Sequence, residues 1–164
     1  MIVSTRSLMG KSIMSPEESR PIVTRGLIAA AFKFLRKKYY HKTVALFKEV
    51  ALSEQFRADI LCLSYDDEVV IFEVKSCRAD FMTDHKWKNY LDYCNYFYFV
   101  TVPDAILPSD IPENIGLIYF DETKYGENNY NIIRECKRLK GIRLTNSWFK
   151  KTYKKLAFRI GSEY

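Results

Sequence analysis

The segment Val69–Lys75 constrains the fold of this chain more than any other feature of the sequence. Its first four residues, Val-Val-Ile-Phe, are all apolar, which is typical of a strand that is buried on both faces. A polar run at residues 65–68 precedes it and predicts a hairpin turn to an earlier strand. We therefore expect this segment in the middle of a sheet.

Two charged residues, Glu73 and Lys75, end this otherwise apolar strand. Because side chains alternate along a strand, both are predicted to project from the same face as Val69 and Ile71. Charges in such a position are costly unless they pair with each other, with a metal ion or with solvent. The end of the strand is therefore a candidate functional site.

A third charged residue, Asp59, lies on the strand that the predicted turn joins to Val69–Lys75. Asp59 and Glu73 are at about matching distances from the turn, so antiparallel pairing can bring them together. Two adjacent carboxylates repel each other unless a cation is present, and Mg²⁺ or Mn²⁺ suits such a pair. Lys75 can then orient, or help to deprotonate, an attacking water whose pKa the metal lowers.

Helical patterns occur in three parts of the chain. Residues 15–18 fit a helix start, but Pro21 predicts an interruption, so the main first helix is expected from about 22–24 to about Tyr40. A second helix is predicted at 78–93, with Asp84 and Trp87 on one stripe. The third is predicted at 148–160, capped by 145–147, with its lysines outward and an inward stripe of Phe149, Tyr153, Leu156 and Ile160.

Strands are predicted at 43–52, 57–63, 69–75, 96–102, 116–121 and, as a possible edge strand, 130–134. The order of elements describes an α/β fold in which a mixed sheet has helices on both faces, because the strand–helix–strand unit at 69–102 requires two parallel strands. The length suits one domain, residues 1–164, with a core at about 22–121 and a basic extension at about 134–164.

Composition excludes several kinds of site. The four cysteines are far apart and form no CxxC motif, so neither a zinc knuckle nor a disulfide framework is expected. His41 and His85 are also far apart, which argues against histidine-based metal or nucleophile chemistry. The chain contains no long apolar run and no signal-peptide pattern, so we expect a cytoplasmic protein that does not enter a membrane.

Positive charge is concentrated near the end of the chain. The net charge is +6, but residues 134–159 contain ten basic residues and one acid, which leaves the remainder at −3. A basic end on a mildly acidic body is typical of a protein that binds a polyanion. A solvated lysine face on the last helix is the alternative. The predicted phosphate contacts are Lys150, Lys151, Lys154 and Lys155.

Asp59 followed by Glu73-Val74-Lys75 resembles the PD-(D/E)XK nuclease motif, within the expected order of helix, three-stranded meander, helix and strand. A longer set of residues resembles the MmcB-type DNA-repair proteins: Arg57-Ala58-Asp59-Ile60, Glu73-Val74-Lys75-Ser76, Asp80-Phe81, Asp84, Lys86-Trp87, Tyr90, Asp92-Tyr93-Cys94 and Gly116-Leu117-Ile118. This resemblance implies a restriction-endonuclease-like fold, in which Asp59 and Glu73 bind metal and Lys75 is the catalytic lysine. Ala58 stands where the nominal motif has Pro. The only effect of Pro there would be to stiffen the chain.

Further candidates are accessory. Glu49 on the first strand can reach the metal or can be a surface carboxylate. Residues 17 and 18, both Glu, can supply an acid from the first helix, although capping also explains the second of them. Asp80, Asp84 and Lys86 are possible accessory residues, and an ion pair from Asp84 to Lys88 is the structural alternative.

Three functions are compatible with these features. The first is a Mg²⁺- or Mn²⁺-dependent enzyme that hydrolyses phosphodiester bonds in DNA, possible as a homodimer. The second is a nucleic-acid-binding module that has the same fold and no turnover. The third is an RNA-processing enzyme, because the motif does not separate the two nucleic acids.

Overall fold

The computed structural model describes residues 16–39, 44–121, 123–124 and 129–161. For residues 16–22, 44 and 159–161 it describes the backbone only. Its centre is a six-stranded sheet in which the strands follow chain order. The strands are β1 (Val44–Ala51), β2 (Arg57–Ser64), β3 (Val69–Lys75), β4 (Tyr96–Thr101), β5 (Gly116–Phe120) and β6 (Tyr130–Arg134). The helices are α1 (Pro16–Lys38), α2 (Arg78–Thr83), α3 (Trp87–Tyr90) and α4 (Asn146–Gly161).

The sheet is mixed, as predicted. Strands β1, β2 and β3 form an antiparallel meander. Strand β4 is parallel to both β3 and β5, and β6 returns antiparallel along the edge of β5. The apolar segment β3 therefore lies between β2 and β4 with its Val69, Ile71 and Phe72 side chains fully buried, which confirms its predicted central position.

Apolar layers cover both faces of the sheet, because alternate residues of the inner strands point in opposite directions. On one face, Leu27, Phe34 and Leu35 of α1 pack against a cluster that includes Phe72 and Tyr98. On the other face, Trp87 of α3 and Leu156 of α4 join a cluster with Ile71, Phe97 and Phe99. The prediction of helices on both faces is confirmed.

The first helix begins earlier than predicted. Helix α1 starts at Pro16 and continues through Pro21 instead of starting at about 22–24. Proline removes one backbone donor and crowds the carbonyl four residues earlier. Here that carbonyl belongs to the first turn, so only one hydrogen bond near the end of a 23-residue helix is lost. The predicted interruption was therefore wrong.

The prediction of one helix at 78–93 was also wrong. Helix α2 ends at Thr83, Asp84 has an extended backbone with ψ 106°, and α3 and a 3₁₀ turn at Leu91–Tyr93 follow. The Asp84 carboxylate accepts a hydrogen bond from the Lys86 backbone N–H at 2.7 Å. An Asp side chain that bonds the backbone two residues later competes with helix formation, and this turn breaks the helix.

The last helix follows the prediction closely at its start. Thr145 Oγ1 accepts a hydrogen bond from the Trp148 backbone N–H at 3.1 Å, which is a helix cap. Leu156 is buried as predicted, but Tyr153 is 42% exposed and donates its hydroxyl hydrogen bond to Asp67 at 3.0 Å. Thr152 is buried instead of Tyr153. The side chain of Ile160 lies outside the described residues.

Candidate active site

The candidate site begins where β2 and β3 separate. Backbone pairing between these strands reaches Ile60 opposite Phe72. At the next step, the Val74 backbone N–H donates to Oδ2 of Asp59 at 2.8 Å. A carboxylate therefore replaces a main-chain acceptor, and this bond attaches the Asp59 side chain to the strand that carries Glu73 and Lys75.

Lys75 lies between two carboxylates. Its Nζ is 3.0 Å from Oε1 of Glu73 and 2.7 Å from Oδ2 of Asp84. The side chains of Glu73 and Lys75 are 6% and 7% exposed, and that of Asp84 is 14% exposed. Glu73 and Lys75 do share one face, as the alternation along β3 requires. Asp84 completes an acid–lysine–acid chain that is almost closed to solvent.

The break between α2 and α3 positions Asp84. Because the chain leaves the helix at this residue, Asp84 turns back toward the end of β3 and does not pair with Lys88 along a helix face. The backbone of Lys75 is also held in place, because the Thr101 hydroxyl of β4 donates a hydrogen bond to the Lys75 carbonyl oxygen at 2.7 Å. The strand end is therefore fixed from two neighbouring elements.

Glu73 has an unsatisfied oxygen. Its Oε2 atom is buried and has no hydrogen-bond partner among the described residues. Burial raises the pKa of Glu73 to about 8, the charge of Asp59 adds to this effect, and Lys75 opposes it. A buried acceptor without a donor costs free energy, so this oxygen is suited to a ligand that supplies positive charge.

Lys75 is a cation in this arrangement. Burial by itself would lower the pKa of Lys75, but the charges and hydrogen bonds of Glu73 and Asp84 outweigh it and raise the pKa above its usual value. Burial likewise opposes ionisation of Asp84, yet the bonds from Lys75 and the Lys86 N–H lower the pKa of Asp84. The shorter of the two contacts of the Lys75 ammonium is the one with Asp84, at 2.7 Å, and the contact with Glu73 is 3.0 Å.

Asp59 lies next to a cavity on the side of α1. Burial raises the pKa of Asp59 most strongly, the Val74 N–H and Lys75 oppose this, and Asp80 and Asp84 add to it. The cavity has a volume of about 460 Å³. Its lining comprises Thr24, Ile28, Lys48, Glu49, Asp59, Val74, Ser76 and Asp80. Asp59 is thus accessible from one side and charged neighbours surround it.

Glu49 lies at the rim of this cavity. In the β1–β2 register it falls between the pairs Lys48 with Ile60 and Val50 with Ala58, opposite Asp59. Its φ of 51° is left-handed, an uncommon conformation for a residue with a Cβ. Its carboxylate is 64% exposed and 3.9 Å from Arg57. Glu49 therefore lines the cavity and is in reach of solvent.

The remaining predicted site residues differ in where their side chains lie and in how exposed they are. Asp80 lines the cavity and is exposed. Lys86 contributes its backbone N–H to Asp84, whereas its side chain is exposed. The side chains of residues 17 and 18 lie outside the described part of the chain. The four lysines of α4, namely Lys150, Lys151, Lys154 and Lys155, are exposed.

Sequence reasoning missed Lys48 and Thr101, and it named Ser76 and Tyr90 only among the residues that carry the family resemblance, without a role in the site. Lys48 could have been found from the register, since it precedes Glu49 on the strand beside Asp59, and Thr101 from its place opposite Lys75 on β4. Tyr90 is buried, and burial together with the charges of Glu73 and Asp84 raises its pKa to about 12. No local pattern distinguishes Tyr90 from an ordinary core tyrosine.

The carboxylates do not form a closed metal cage. Among the described residues, no three or more His, Cys, Asp or Glu side chains are grouped so that they could hold a metal ion. The site therefore offers two carboxylates, Asp59 and Glu73, and a cavity that Asp59 lines. In the part of the chain that the structure describes, no helix is both long and apolar enough to cross a membrane.

Comparison with known proteins agrees with this architecture. A protein of unknown function from Silicibacter pomeroyi has a similar structure, with a TM-score of 0.66 and 22% sequence identity over 85% of this chain and 87% of that protein. This similarity concerns the fold alone. No curated protein matches the chain. The family model described as "DNA repair protein MmcB-like" matches residues 20–155, a range that contains the sheet, the candidate site and most of α4. The chain belongs to the MmcB-like family of DNA repair proteins.

Proposed function

We propose that this protein is a metal-dependent DNA phosphodiesterase in which Asp59 and Glu73 bind Mg²⁺ or Mn²⁺ and Lys75 is the catalytic cation. The observation that carries the proposal is the buried Oε2 of Glu73, which lacks a hydrogen-bond partner among the described residues and lies beside the charge of Asp59. Membership of a DNA repair family supports DNA as the substrate.

The residues fit a hard divalent cation. Glu73 is buried and Asp59 is half-buried, both have raised pKa values, and repulsion between them contributes to the shift of Glu73. Mg²⁺ commonly uses one or two protein carboxylates and completes its shell with water and substrate phosphate. Asp59, which lines the open cavity, and the buried Glu73 supply two such carboxylates, even though no three-residue cluster is present among the described residues.

A bound divalent ion supplies Lewis acidity and a water of lowered pKa at such a site. The chain's own residues perform the remaining tasks. Asp59 is held by the Val74 N–H, so its carboxylate orientation is set before any ligand binds. Lys75 is protonated, and it is suited to stabilise negative charge on the reacting phosphate and to orient the attacking water. The protonated state argues against Lys75 as the group that accepts a proton.

Asp84 is a positioning residue in this proposal. Its pair with Lys75 at 2.7 Å keeps the ammonium charged and limits the directions in which it can point. Glu49 and Asp80, at the rim of the same cavity, are further oxygen donors that face the solvent side.

The alternative is a DNA-binding module of the same fold without turnover. The specific observation in its favour is that Lys75 is already engaged by Glu73 and Asp84, so it serves a structural purpose without any substrate. Incubation of the protein with labelled single-stranded, duplex, flap and junction DNA, in Mn²⁺ or in EDTA, separates the two functions. Cuts in Mn²⁺ that disappear in EDTA are expected. Intact DNA in every reaction would leave the binding module as the function.

A further inference from the structure

A basic groove lies between the β1–β2 turn and α4, on the opposite face of the sheet from α1. It has a volume of about 540 Å³. Three basic residues line it, Arg143, Lys151 and Lys155, against one acid, Glu54. All four are exposed. The groove therefore has an excess of positive charge at a surface that solvent can reach.

Two aromatic rings form part of the same groove. Tyr93 and Trp148 are half-buried, and their ring centroids are 6.3 Å apart with an interplanar angle of 46°. Both rings line the groove together with the cations, and both also pack against the core cluster. Aromatic rings beside cations are the combination with which proteins bind single-stranded nucleic acid, because unpaired bases stack on rings while the backbone follows the charges.

Hydrogen bonds hold the backbone segments that form the groove. The Arg143 N–H donates to the Asp92 carbonyl at 2.8 Å, which ties the loop before α4 to the end of the 3₁₀ turn. Thr145 then caps α4 through the Trp148 N–H at 3.1 Å. The loop that carries Arg143 and the helix start that carries Trp148 are thus held together before any ligand binds.

The groove leads toward the candidate active site. A smaller cleft of about 190 Å³ shares Ala51, Thr152 and Lys155 with the groove. The same cleft is also lined by Glu49, which in turn lines the cavity of Asp59. Shared lining residues along β1 therefore connect the groove with the Asp59 cavity.

We infer that this groove binds a single-stranded segment of DNA and directs it toward Asp59. The inference rests on the proposed function and gives its substrate class. The partner is single-stranded because a duplex hides the base faces that Tyr93 and Trp148 would contact. The groove also divides the lysines of α4 into two pairs. Lys151 and Lys155 line the groove, whereas Lys150 and Lys154 are not among the described residues that line it.

This division supplies a matched control. The double variant Lys151→Ala, Lys155→Ala and the double variant Lys150→Ala, Lys154→Ala remove the same charge from the same helix. Binding of a labelled single-stranded oligonucleotide is measured by fluorescence anisotropy in EDTA, over a series of salt concentrations, with the duplex of equal length alongside. Binding in EDTA does not require cleavage, so the groove and the nuclease proposal are tested separately.

The wild type is expected to bind the single strand more tightly than the duplex. The groove variant should weaken single-strand binding about tenfold and reduce the salt slope by about 1.4, for two lost phosphate contacts. The control variant should change both quantities much less. Equal effects of the two variants, a preference for duplex, or no binding at all would each overturn the inference.

Trp148 provides a second readout. The chain has two tryptophans, and the other one, Trp87, is buried. In a Trp87→Phe background, addition of single-stranded DNA should quench the fluorescence of Trp148, because a stacked base lies against the ring. Unchanged fluorescence at saturating DNA would overturn the inference. Groove-dependent binding without any Mn²⁺-dependent cleavage would instead reject the nuclease and keep the groove.

Discussion

Nζ of Lys75 lies 2.7 Å from Oδ2 of Asp84, although the two residues belong to different elements and the whole of α2 lies between them. The contact exists because Asp84 leaves the helical conformation and its other oxygen binds the Lys86 N–H. One local break thereby supplies the counter-ion of the candidate catalytic lysine. The loop between α2 and α3 is consequently part of the site.

Replacement of Lys75 should separate binding from chemistry. Lys75→Met retains most of the buried aliphatic chain and removes the charge, so DNA affinity in EDTA should stay within about twofold of wild type. Single-turnover cleavage should fall by a factor on the order of hundreds or more, as for loss of a charge-stabilising group. Circular dichroism and thermal unfolding check that the variant folds. Full activity in a folded variant would remove Lys75 from the mechanism.

Asp84 should act through Lys75. Asp84→Asn keeps an acceptor for the Lys86 N–H but loses the negative charge, so cleavage should fall by about tenfold, less than for Lys75→Met. Because the two residues act as one unit, the double variant should be no slower than Lys75→Met alone. A double variant whose loss equals the product of the two single losses would show that Asp84 acts independently.

A divalent ion should stabilise the folded protein through Asp59 and Glu73. Mn²⁺ at about one hundred times its dissociation constant should add about 2.7 kcal/mol to the free energy of unfolding, seen as a rise in Tm. Glu73→Gln should abolish the rise, and Asp59→Asn should reduce it strongly. Glu113→Gln, at an exposed carboxylate outside the described cavities, is the control. An equal rise in the Glu73→Gln variant would contradict the metal assignment.

Acid stability should depend on a polar cluster far from the site in sequence. The Tyr98 hydroxyl donates to Oε2 of Glu135 at 2.6 Å, and Nζ of Lys38 is 2.9 Å from the same oxygen. Burial opposes ionisation of Glu135, but these two partners outweigh it and lower its pKa below the ordinary 4.5. The pKa of Glu135 is therefore lower in the folded protein than in the unfolded chain. The stabilisation is present above about pH 4.5 and is lost as the pH falls through the folded-state pKa.

The variant Tyr98→Phe tests the direction of this pH dependence of stability. The free energy of unfolding, from urea titrations at several pH values below about 6, should fall less steeply toward acid in the variant than in wild type. The Glu135 side chain is 54% exposed, so solvent screening should keep the effect below about 1 kcal/mol. Parallel pH curves for the two proteins would show that Glu135 gains no stabilisation from Tyr98.

Much of the sheet was predictable because strand patterns are local. The face shared by Glu73 and Lys75 follows from alternation alone, and the nearness of Asp59 follows from the length of the hairpin. The helix at 78–93 was predicted wrongly for the opposite reason. Its apolar spacing is helical, but the carboxylate of Asp84 competes with the helix by binding the Lys86 N–H and pairing with Lys75, and the helix ends at Thr83. Helical spacing contains no information on that competition.

The sequence by itself determined which residues share a face and which strand is central, since both depend on the period of two along β3 and on its apolar content. It also determined that the basic charge is concentrated near the end of the chain. Only the tertiary structure decided that Asp84 pairs with Lys75, and that Lys151 and Lys155 line a groove with Trp148. Those relationships join distant parts of the chain, so their geometry depends on how α3 and α4 pack against the sheet and not on local residue preference.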